Sequence, residues 1–322
     1  MKRIAIVDPG IRPGFAAALE ARLPAGWAVT SDPVGAAVLV TENADVGSEI
    51  LRRAGEGVRL LVKLDPGKAG LEPGAVPVLE VPNTALLGVA EHTVALLLAC
   101  VRRLVAVDAR TRAREYVPDR AEPILTDQKR YTYNWIGLED FGTLYRRRVG
   151  LVGLGLIGRA VAARLRPFGV RLVYTQRTRL PETLERELGV TYLSLTDLLA
   201  TSDIVSLHHR FDESENGNDG QFGSEAFAAM KTGAVFINTA RGRLVDEDAL
   251  AAALRSGHLS AAGLDVFRHE PLPEGHPFFD LPSDRLLLTP HVAGGPVDEA
   301  WGHMADDILE AALSLVKEQN HG

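Results

Sequence analysis

The segment "VGLVGLGLIGRAVAARL" restricts the fold of this chain more than any other part of its sequence. Gly153, Gly155 and Gly158 form a G-x-G-x-x-G motif that follows a strand-like apolar run and precedes an alanine-rich helical run. In a strand-turn-helix unit, the first glycine permits a tight turn, the second admits a pyrophosphate, and the third lets the helix pack closely on the sheet. The motif therefore predicts dinucleotide binding, with Leu156 and Ile157 at the amide-bearing start of the helix. A purely structural glycine turn is the alternative.

Short β-branched runs alternate with longer stretches of helical period along the chain, as in parallel sheets covered by helices on both faces. The runs form two series, separated by an apolar helical stretch at residues 84–113 that could link two domains. We therefore predict an α/β fold with two doubly wound parallel sheets. A final amphipathic stretch follows the second series and is expected to pack on the first domain.

Charge and cysteine content exclude several classes of protein. The 322 residues include 35 basic and 42 acidic side chains, and a net charge of -7 favours neither nucleic acid nor an anionic membrane surface. Cys100 is the only cysteine, so the chain can form no disulfide framework and no cysteine-rich zinc site. The apolar runs in "MKRIAIVDPG" and "VALLLACV" are too short for a signal peptide and a membrane span, respectively. These features predict a soluble cytoplasmic protein.

Three motifs lie at the ends of predicted strands in the second series. They are "INTARGRLVD", "LDVFRHEP" and "LTPHVAGG". They carry Arg241, Asp265, Glu270 and His291. Ligands collect at the carboxyl ends of strands in open α/β sheets, so these side chains are expected to converge near the glycine turn. An imidazole, a carboxylate and a guanidinium are the groups needed to move a proton and hold a small anion while a hydride moves.

With these motifs the chain resembles the D-isomer-specific 2-hydroxyacid dehydrogenases. The resemblance covers nearly the whole chain, from "VPNTALLGVAEHTVALLLACVRR" through the glycine motif, "NTARG", "LDVFRHEP" and "TPHVAGG" to the C-terminal helical stretch. It implies a substrate domain made from both chain ends, at residues 1–101 and 296–322. A dinucleotide-binding Rossmann domain at residues 102–295 would be inserted between them. The resemblance also implies a homodimer formed largely through the cofactor domains.

The resemblance implies catalytic roles for three side chains. Arg241 would hold the substrate carboxylate and polarise its carbonyl through a planar donor fork, unless it forms only a surface salt bridge. His291 would be the general acid in reduction and the base in the reverse reaction, because an unperturbed imidazole titrates near neutral pH. A structural histidine is its alternative. Glu270 would pair with His291, favour the charged ring and fix its orientation, unless it is a solvated loop charge.

Other residues are assigned to the cofactor or left without a function. Asp265 would contact the nicotinamide end of the cofactor, or else cap a turn. No metal is predicted, because the remaining histidines lack regular ligand spacing with a partner acid. His92 is expected on the surface of the long helix or at an interdomain contact. The further cofactor contacts assigned to the strand ends are Thr239, Ala240 and Gly294.

Two segments depart from the family pattern. Where the family has a glycine-rich loop that binds the substrate carboxylate, this chain has "KLDPGKAGLEPG", in which Asp65 replaces a small residue. A backbone cradle would then depend on Gly67, and Lys63 or Lys68 could also bind the carboxylate. Where the family has a "PLT" stretch, this chain has "HHRFDESENGNDGQFG", with Arg210 at the proline position. The identity of the keto acid is therefore not readable from the sequence.

The loop after the second strand of the predicted cofactor domain, "VYTQRTR", has no acidic residue. NAD-binding members of this fold have an acidic residue at this position, which accepts hydrogen bonds from the adenosine ribose. Here Thr175 stands at that position, followed by Gln176, Arg177 and Arg179. Because arginine binds phosphate through paired hydrogen bonds, we predict a preference for NADP(H), with Arg177 as the main contact. The loop resembles that of NADPH-using glyoxylate and hydroxypyruvate reductases. Alternatively, both arginines are solvated and either cofactor is accepted.

The sequence thus predicts an oxidoreductase that reduces a small 2-keto acid, such as glyoxylate or hydroxypyruvate, to a D-2-hydroxy acid with NAD(P)H. The alternative is a dinucleotide-sensing binding protein that resembles the related corepressors. The altered loop near Asp65 favours this alternative, whereas intact Arg241, Glu270 and His291 favour catalysis. Formate dehydrogenase activity is disfavoured, because that relative has glutamine at the position of Glu270. Phosphite oxidation stays open.

Overall fold

The computed structural model describes residues 1–8, 11, 13–65, 70–82, 84–214 and 217–318. The chain divides into two compact units, one formed by Met1–Gly88 with Gly294–Gly322 and the other by Val89–Ala293. Each unit is built on one parallel sheet. The predicted α/β fold with two doubly wound parallel sheets is therefore confirmed.

The first unit has a five-stranded sheet with helices on both faces. Its strands are β1 (Lys2–Ile6), β2 (Trp27–Thr30), β3 (Val38–Thr41), β4 (Leu60–Asp65) and β5 (Val78–Pro82), in the order β2-β1-β3-β4-β5. Its helices are α1 (Pro13–Glu20), α2 (Ser48–Ala54) and α10 (Val297–Glu318), and α3 (Thr84–Arg102) begins in this unit. The central strand β3 is buried along its whole length, as expected of a parallel sheet covered on both faces.

The C-terminal helix α10 packs on the first unit, although it follows the second unit in the chain. Met304 and Ile308 of α10 share a core cluster with Phe15 of α1. The two helices approach closely because Gly14 has no side chain, and a Cβ at that position would overlap the ring of Trp301. The apolar face of α10 is thus covered by residues from the beginning of the chain.

The second unit has a seven-stranded parallel sheet in the order β12-β11-β10-β9-β6-β7-β8. Its strands are β6 (Arg148–Val152), β7 (Arg171–Thr175), β8 (Val190–Tyr192), β9 (Ile204–Leu207), β10 (Ala234–Asn238), β11 (Leu259–Leu264) and β12 (Leu286–Leu288). Its helices are α4 (Leu104–Arg112), α5 (Leu156–Leu165), α6 (Glu182–Leu188), α7 (Leu195–Thr201), α8 (Ser224–Ala229) and α9 (Glu247–Arg255). The strand order reverses at β6, which pairs with both β7 and β9. Ligands of doubly wound folds bind outside the strand ends at this reversal.

The long helix α3 crosses the boundary between the units. Its second half contributes Leu97 and Cys100 to a core cluster with Leu151 and Ile237 of the second sheet. For this reason the boundary lies between Gly88 and Val89, whereas the sequence placed it after residue 101.

Among the described residues, α3 is also the one helix that is long and apolar enough to cross a membrane. This differs from the sequence-based expectation, since the eight-residue apolar run extends to a 19-residue helix. Its apolar residues Ala90, Leu96 and Leu97 are buried against the core of the second unit, as in the core helix of a globular domain.

Candidate active site and cofactor site

The turn between β6 and α5 carries the three glycines of the motif. Gly153 has a φ of +94°, and a Cβ there would lie 2.7 Å from the backbone nitrogen of His209. A Cβ on Gly158 would collide with the carbonyl oxygen of Gly153, because α5 packs directly on the turn. At Gly155, in contrast, no heavy atom of the described residues, apart from those of Gly155 and the adjacent chain, lies within 4 Å of the position that a Cβ would take. The space beside the start of α5 is therefore open, as a bound pyrophosphate requires.

A cavity of about 640 Å³ lies beside this turn, within the size range of small-molecule sites. One wall is formed by the end of β7 and the loop that follows it, and the other by the segment after β9. The first wall contains Thr175, Gln176 and Arg177, and the second contains His209, Arg210, Phe211, Asp212 and Glu213. The cavity thus adjoins the glycine turn on the side where a dinucleotide would place its adenosine half.

Two of the predicted cofactor residues hold the glycine turn in place. The carbonyl of Thr175 accepts a hydrogen bond from the Gly153 amide at 2.8 Å. The side-chain oxygen of Gln176 accepts one from the Leu154 amide at 3.1 Å, and its nitrogen donates to the Thr178 carbonyl at 2.7 Å. The side chain of Gln176 is therefore already engaged by the protein. At the start of α5 itself, Leu156 is exposed and Ile157 packs against the core.

The two arginines of the β7 loop have different surroundings. Arg179 makes two parallel hydrogen bonds to the Glu185 carboxylate, each 2.9 Å long, and Glu185 also accepts one from the Tyr174 hydroxyl at 2.7 Å. The hydrogen bonds from Arg179 and then Tyr174 lower the pKa of Glu185 to about 2. Arg179 therefore ties the loop to α6.

Arg177 is exposed and lines the cavity. Its positive charge helps to lower the pKa of the Asp212 carboxyl, which is lowered mainly by a hydrogen bond from the Ser214 amide. Within the described part of the chain, the structure gives Arg177 this electrostatic interaction and no ion pair within 4.0 Å. Its guanidinium is thus open to an anion in the cavity.

His291 and Glu270 are in direct contact. Nδ1 of His291 lies 2.7 Å from Oε2 of Glu270, and the other carboxylate oxygen accepts a hydrogen bond from the Phe267 amide at 2.9 Å. The two side chains are 50% and 37% exposed, so they are accessible to a small molecule. Since Glu270 engages Nδ1, the ring presents Nε2 to solvent for proton transfer. This contact matches the pairing expected from the sequence.

The buried Asp265 supports the loop that carries His291. Its carboxylate oxygens accept hydrogen bonds from the Thr289 hydroxyl at 2.6 Å and from the amides of Val292 and Ala293, both at 2.9 Å. The Asp265 carbonyl accepts the His291 amide at 2.9 Å. His291 itself has a φ of +54°, a conformation that a non-glycine residue adopts only where its surroundings enforce it. These bonds correspond to the turn-capping alternative for Asp265, and its nicotinamide contact stays a prediction.

Arg241 lies just after β10 and is exposed. Its guanidinium donates to the neighbouring Ala240 carbonyl at 2.6 Å, and the Asn238 side chain fixes its backbone by donating to the Arg241 carbonyl at 3.0 Å. The remaining donors of the guanidinium fork can bind a carboxylate. Thr239 is buried, and its hydroxyl lies 2.8 Å from that of Thr93.

Several predicted residues cannot be placed in this site. Gly67 and Lys68 lie outside the described residues, so the carboxylate cradle expected there has no structural description. Lys63 lies in β4 of the first unit and is half-buried. Gly294 belongs to the first unit, whereas the other predicted cofactor residues belong to the second.

Sequence reasoning missed two buried features of the second unit. Glu247 and His276 form a pair with Nε2 and Oε2 3.1 Å apart. An acid at a helix start is common, so nothing in the sequence marked Glu247. The ring nitrogens of His208, just after β9, are buried without a hydrogen-bond partner among the described residues, and burial lowers its pKa to about 3. No group of three or more His, Cys, Asp and Glu in the described ranges is arranged to hold a metal ion.

Comparison with known proteins identifies the family. Residues 94–293 match the family of the D-isomer specific 2-hydroxyacid dehydrogenase, NAD binding domain. D-3-phosphoglycerate dehydrogenase of Mycobacterium leprae is 35% identical over 89% of this chain. Glyoxylate/hydroxypyruvate reductase B of Klebsiella pneumoniae is 36% identical over 73% of this chain and 68% of the relative. Among solved structures, a phosphoglycerate oxidoreductase from Rhizobium etli covers 99% of both chains at 26% identity and a TM-score of 0.69.

The coverage differs between these relatives. The chain spans 50% of the length of the Mycobacterium leprae protein, so it matches only part of that relative. The family match spans most of the second unit and includes the glycine turn, Arg241, Glu270 and His291. From this match and the two parallel sheets, the chain belongs to the D-isomer-specific 2-hydroxyacid dehydrogenase family.

Proposed function

We propose that this chain reduces a small 2-keto acid to a D-2-hydroxy acid with NAD(P)H. The observation that carries the proposal is the 2.7 Å contact between His291 and Glu270, which lies in the same unit as the open glycine turn. A histidine with one ring nitrogen fixed by a carboxylate and the other accessible is suited to general acid catalysis. The glyoxylate and hydroxypyruvate reductases among the relatives support the substrate class.

The residues of this chain would act on the substrate in defined ways. The reduced nicotinamide, when bound, supplies a hydride to the carbonyl carbon. Arg241 holds the substrate carboxylate and draws electron density towards the carbonyl oxygen. As the C=O π electrons move onto that oxygen, His291 donates the proton on Nε2 to it, which leaves a neutral ring and an alcohol. Glu270 stabilises the charged ring before the transfer and keeps Nδ1 out of the reaction.

The preference for NADP(H) belongs to the same proposal. The residues present fit a dinucleotide, since Gly155 leaves open space at the start of α5 and the adjoining cavity has Arg177 in its wall. Arg177 would bind the 2′-phosphate, with Thr175 as a neighbouring hydroxyl. NAD(H) would bind without this contact and therefore less tightly.

We also propose that the protein is a homodimer that assembles through its second unit. The segment between α4 and β6 exposes several large apolar or aromatic side chains, which a second copy of the chain would cover. These are Tyr116, Leu125, Tyr131, Tyr133, Trp135 and Tyr145. A cytoplasmic location is likewise a prediction.

A phosphorylated keto acid is the second candidate substrate, because one relative by sequence and one solved structure are each named for phosphoglycerate. The deciding experiment offers glyoxylate, hydroxypyruvate, pyruvate and 3-phosphohydroxypyruvate with NADPH or NADH and follows the nicotinamide absorbance. We expect turnover of glyoxylate or hydroxypyruvate, with the higher kcat/KM for NADPH. Turnover of the phosphorylated acid alone would favour the second candidate. Tight dinucleotide binding without turnover of any acid would favour a sensor.

A further inference from the structure

The loop at residues 265–271 positions Glu270, and its backbone is held from two sides. Towards His291, the Phe267 amide donates to Oε1 of Glu270 at 2.9 Å. On the other side, the Arg268 amide donates at 2.8 Å to Oε1 of Glu247, the first residue of α9. Arg268 is two residues before Glu270, so a displacement of this amide would be transmitted directly to the Glu270 carboxylate.

Glu247 is only 9% exposed, and each of its carboxylate oxygens has a hydrogen-bond partner. Oε1 accepts the Arg268 amide, and Oε2 lies 3.1 Å from Nε2 of His276. His276 is equally buried, and its Nδ1 accepts a hydrogen bond from the Phe278 amide at 3.3 Å. Because Nδ1 accepts this bond, Nε2 is the ring nitrogen that can donate to Glu247. The buried Glu247 thus has two hydrogen-bond partners, one of them the Arg268 amide in the loop at residues 265–271.

We propose that Glu247 and His276 form an anchor pair that positions Glu270 for its contact with His291. In this proposal the anchor pair acts through the Arg268 amide, which donates to Glu247. Its role rests on the proposed function, since it matters to turnover only if the His291–Glu270 contact does. Glu247 and His276 are therefore positioning residues.

The substitution Glu247→Gln tests this role, because the carboxamide must lose one of the two contacts that the carboxylate makes. If the carboxamide nitrogen of the glutamine points towards His276, it faces Nε2, which is also a donor. If it points towards Arg268, it faces the backbone N–H, which is a donor as well. His276→Asn is a second variant that removes the ring and leaves the Arg268 contact in place. The matched control is Asp248→Asn, which removes a charge from the exposed residue next to Glu247 in α9.

The kinetic experiment is a double-mutant cycle in kcat for the preferred keto acid at saturating NADPH. A misplaced catalytic group can cost up to about a hundredfold in rate, and we expect Glu247→Gln to lower kcat by about tenfold with little change in the dissociation constant for NADPH. In a Glu270→Gln background the same change should cost less than about twofold, because residues that act through one another are not additive. Asp248→Asn should leave kcat unchanged relative to its own background, in wild type and in Glu270→Gln alike.

A measurement without turnover separates this proposal from the proposed function. The NMR resonances of the His291 ring, assigned with His291→Asn, are followed as a function of pH in each variant. We expect Glu247→Gln and His276→Asn to move the titration midpoint in the same direction as Glu270→Gln does, even if no keto acid is turned over. An unchanged midpoint, equal losses of kcat in both backgrounds, or unfolding of both anchor variants while Asp248→Asn stays folded would overturn the proposal.

Discussion

In the proposed mechanism Glu270 favours the protonated ring of His291 through their 2.7 Å contact, and this gives a prediction with a direction. Glu270→Gln removes the negative charge that favours the protonated ring, so the pH at which reduction falls away should move to lower values. The kcat/KM for the keto acid, measured across pH with saturating NADPH, tests this. The carboxamide keeps the size of the side chain, so an unchanged profile would mean that Glu270 does not tune His291.

Arg241 should matter to the keto acid more than to the dinucleotide. Lysine at this position keeps the positive charge but loses the planar fork, so Arg241→Lys should raise KM for the keto acid and lower kcat. The dissociation constant for NADPH, measured by nicotinamide fluorescence, should barely change and serves as the internal control. A variant with wild-type kinetics would assign Arg241 a structural role only.

At the scale of single residues, the sequence was most informative where a side chain follows a strand. Glu270 and His291 were expected to converge because both follow strands of the same series, and the family resemblance implied that they pair; their side chains are in contact. The partners of Asp265 could not be predicted in the same way. Its carboxylate binds the backbone amides of Val292 and Ala293, which have the same chemistry in any sequence. Such contacts depend on loop geometry, which no side chain specifies.

At the scale of elements, the loop after β7 places its two arginines in different surroundings, Arg177 in the cavity wall and Arg179 against Glu185. Arg177→Ala should lower kcat/KM for NADPH at least several-fold while leaving that for NADH nearly unchanged, because only NADPH offers a 2′-phosphate. Arg179→Ala is the matched variant, and it should affect both cofactors similarly, since Arg179 is bound to Glu185. Steady-state kinetics at fixed ionic strength measure both ratios. Equal losses with the two cofactors in Arg177→Ala would contradict the assignment.

The helix α3 shows what hydrophobic periodicity alone cannot predict. The apolar period of α3 predicted a long helix, yet it did not reveal which sheet each half would face. Leu97 and Cys100 are buried on the second sheet, and this packing places the unit boundary inside the helix. A helical period identifies an apolar face, whereas its partner surface is decided by tertiary packing.

At the scale of the whole molecule, the division into two sheets could be predicted from the sequence, because the strands of each sheet form a separate series along the chain. The prediction that belongs to this scale is the homodimer. Sedimentation should give twice the mass of one chain. The substitutions Tyr131→Glu and Tyr133→Glu, both at side chains that are 66% exposed, should shift the protein towards the monomer. Val34→Glu, at an exposed apolar residue of the first unit, is the control and should stay dimeric. A monomeric wild type would refute the proposed assembly.

We propose that His291 donates the proton as the hydride reaches the keto acid. The most direct measurement is the single-turnover rate of nicotinamide absorbance loss with NADPH prebound, in wild type and in His291→Asn. We predict that the rate falls by roughly 10²- to 10⁴-fold, the usual contribution of a general acid, while NADPH affinity is retained. A folded His291→Asn variant with a wild-type rate, under conditions where chemistry limits turnover, would contradict the account.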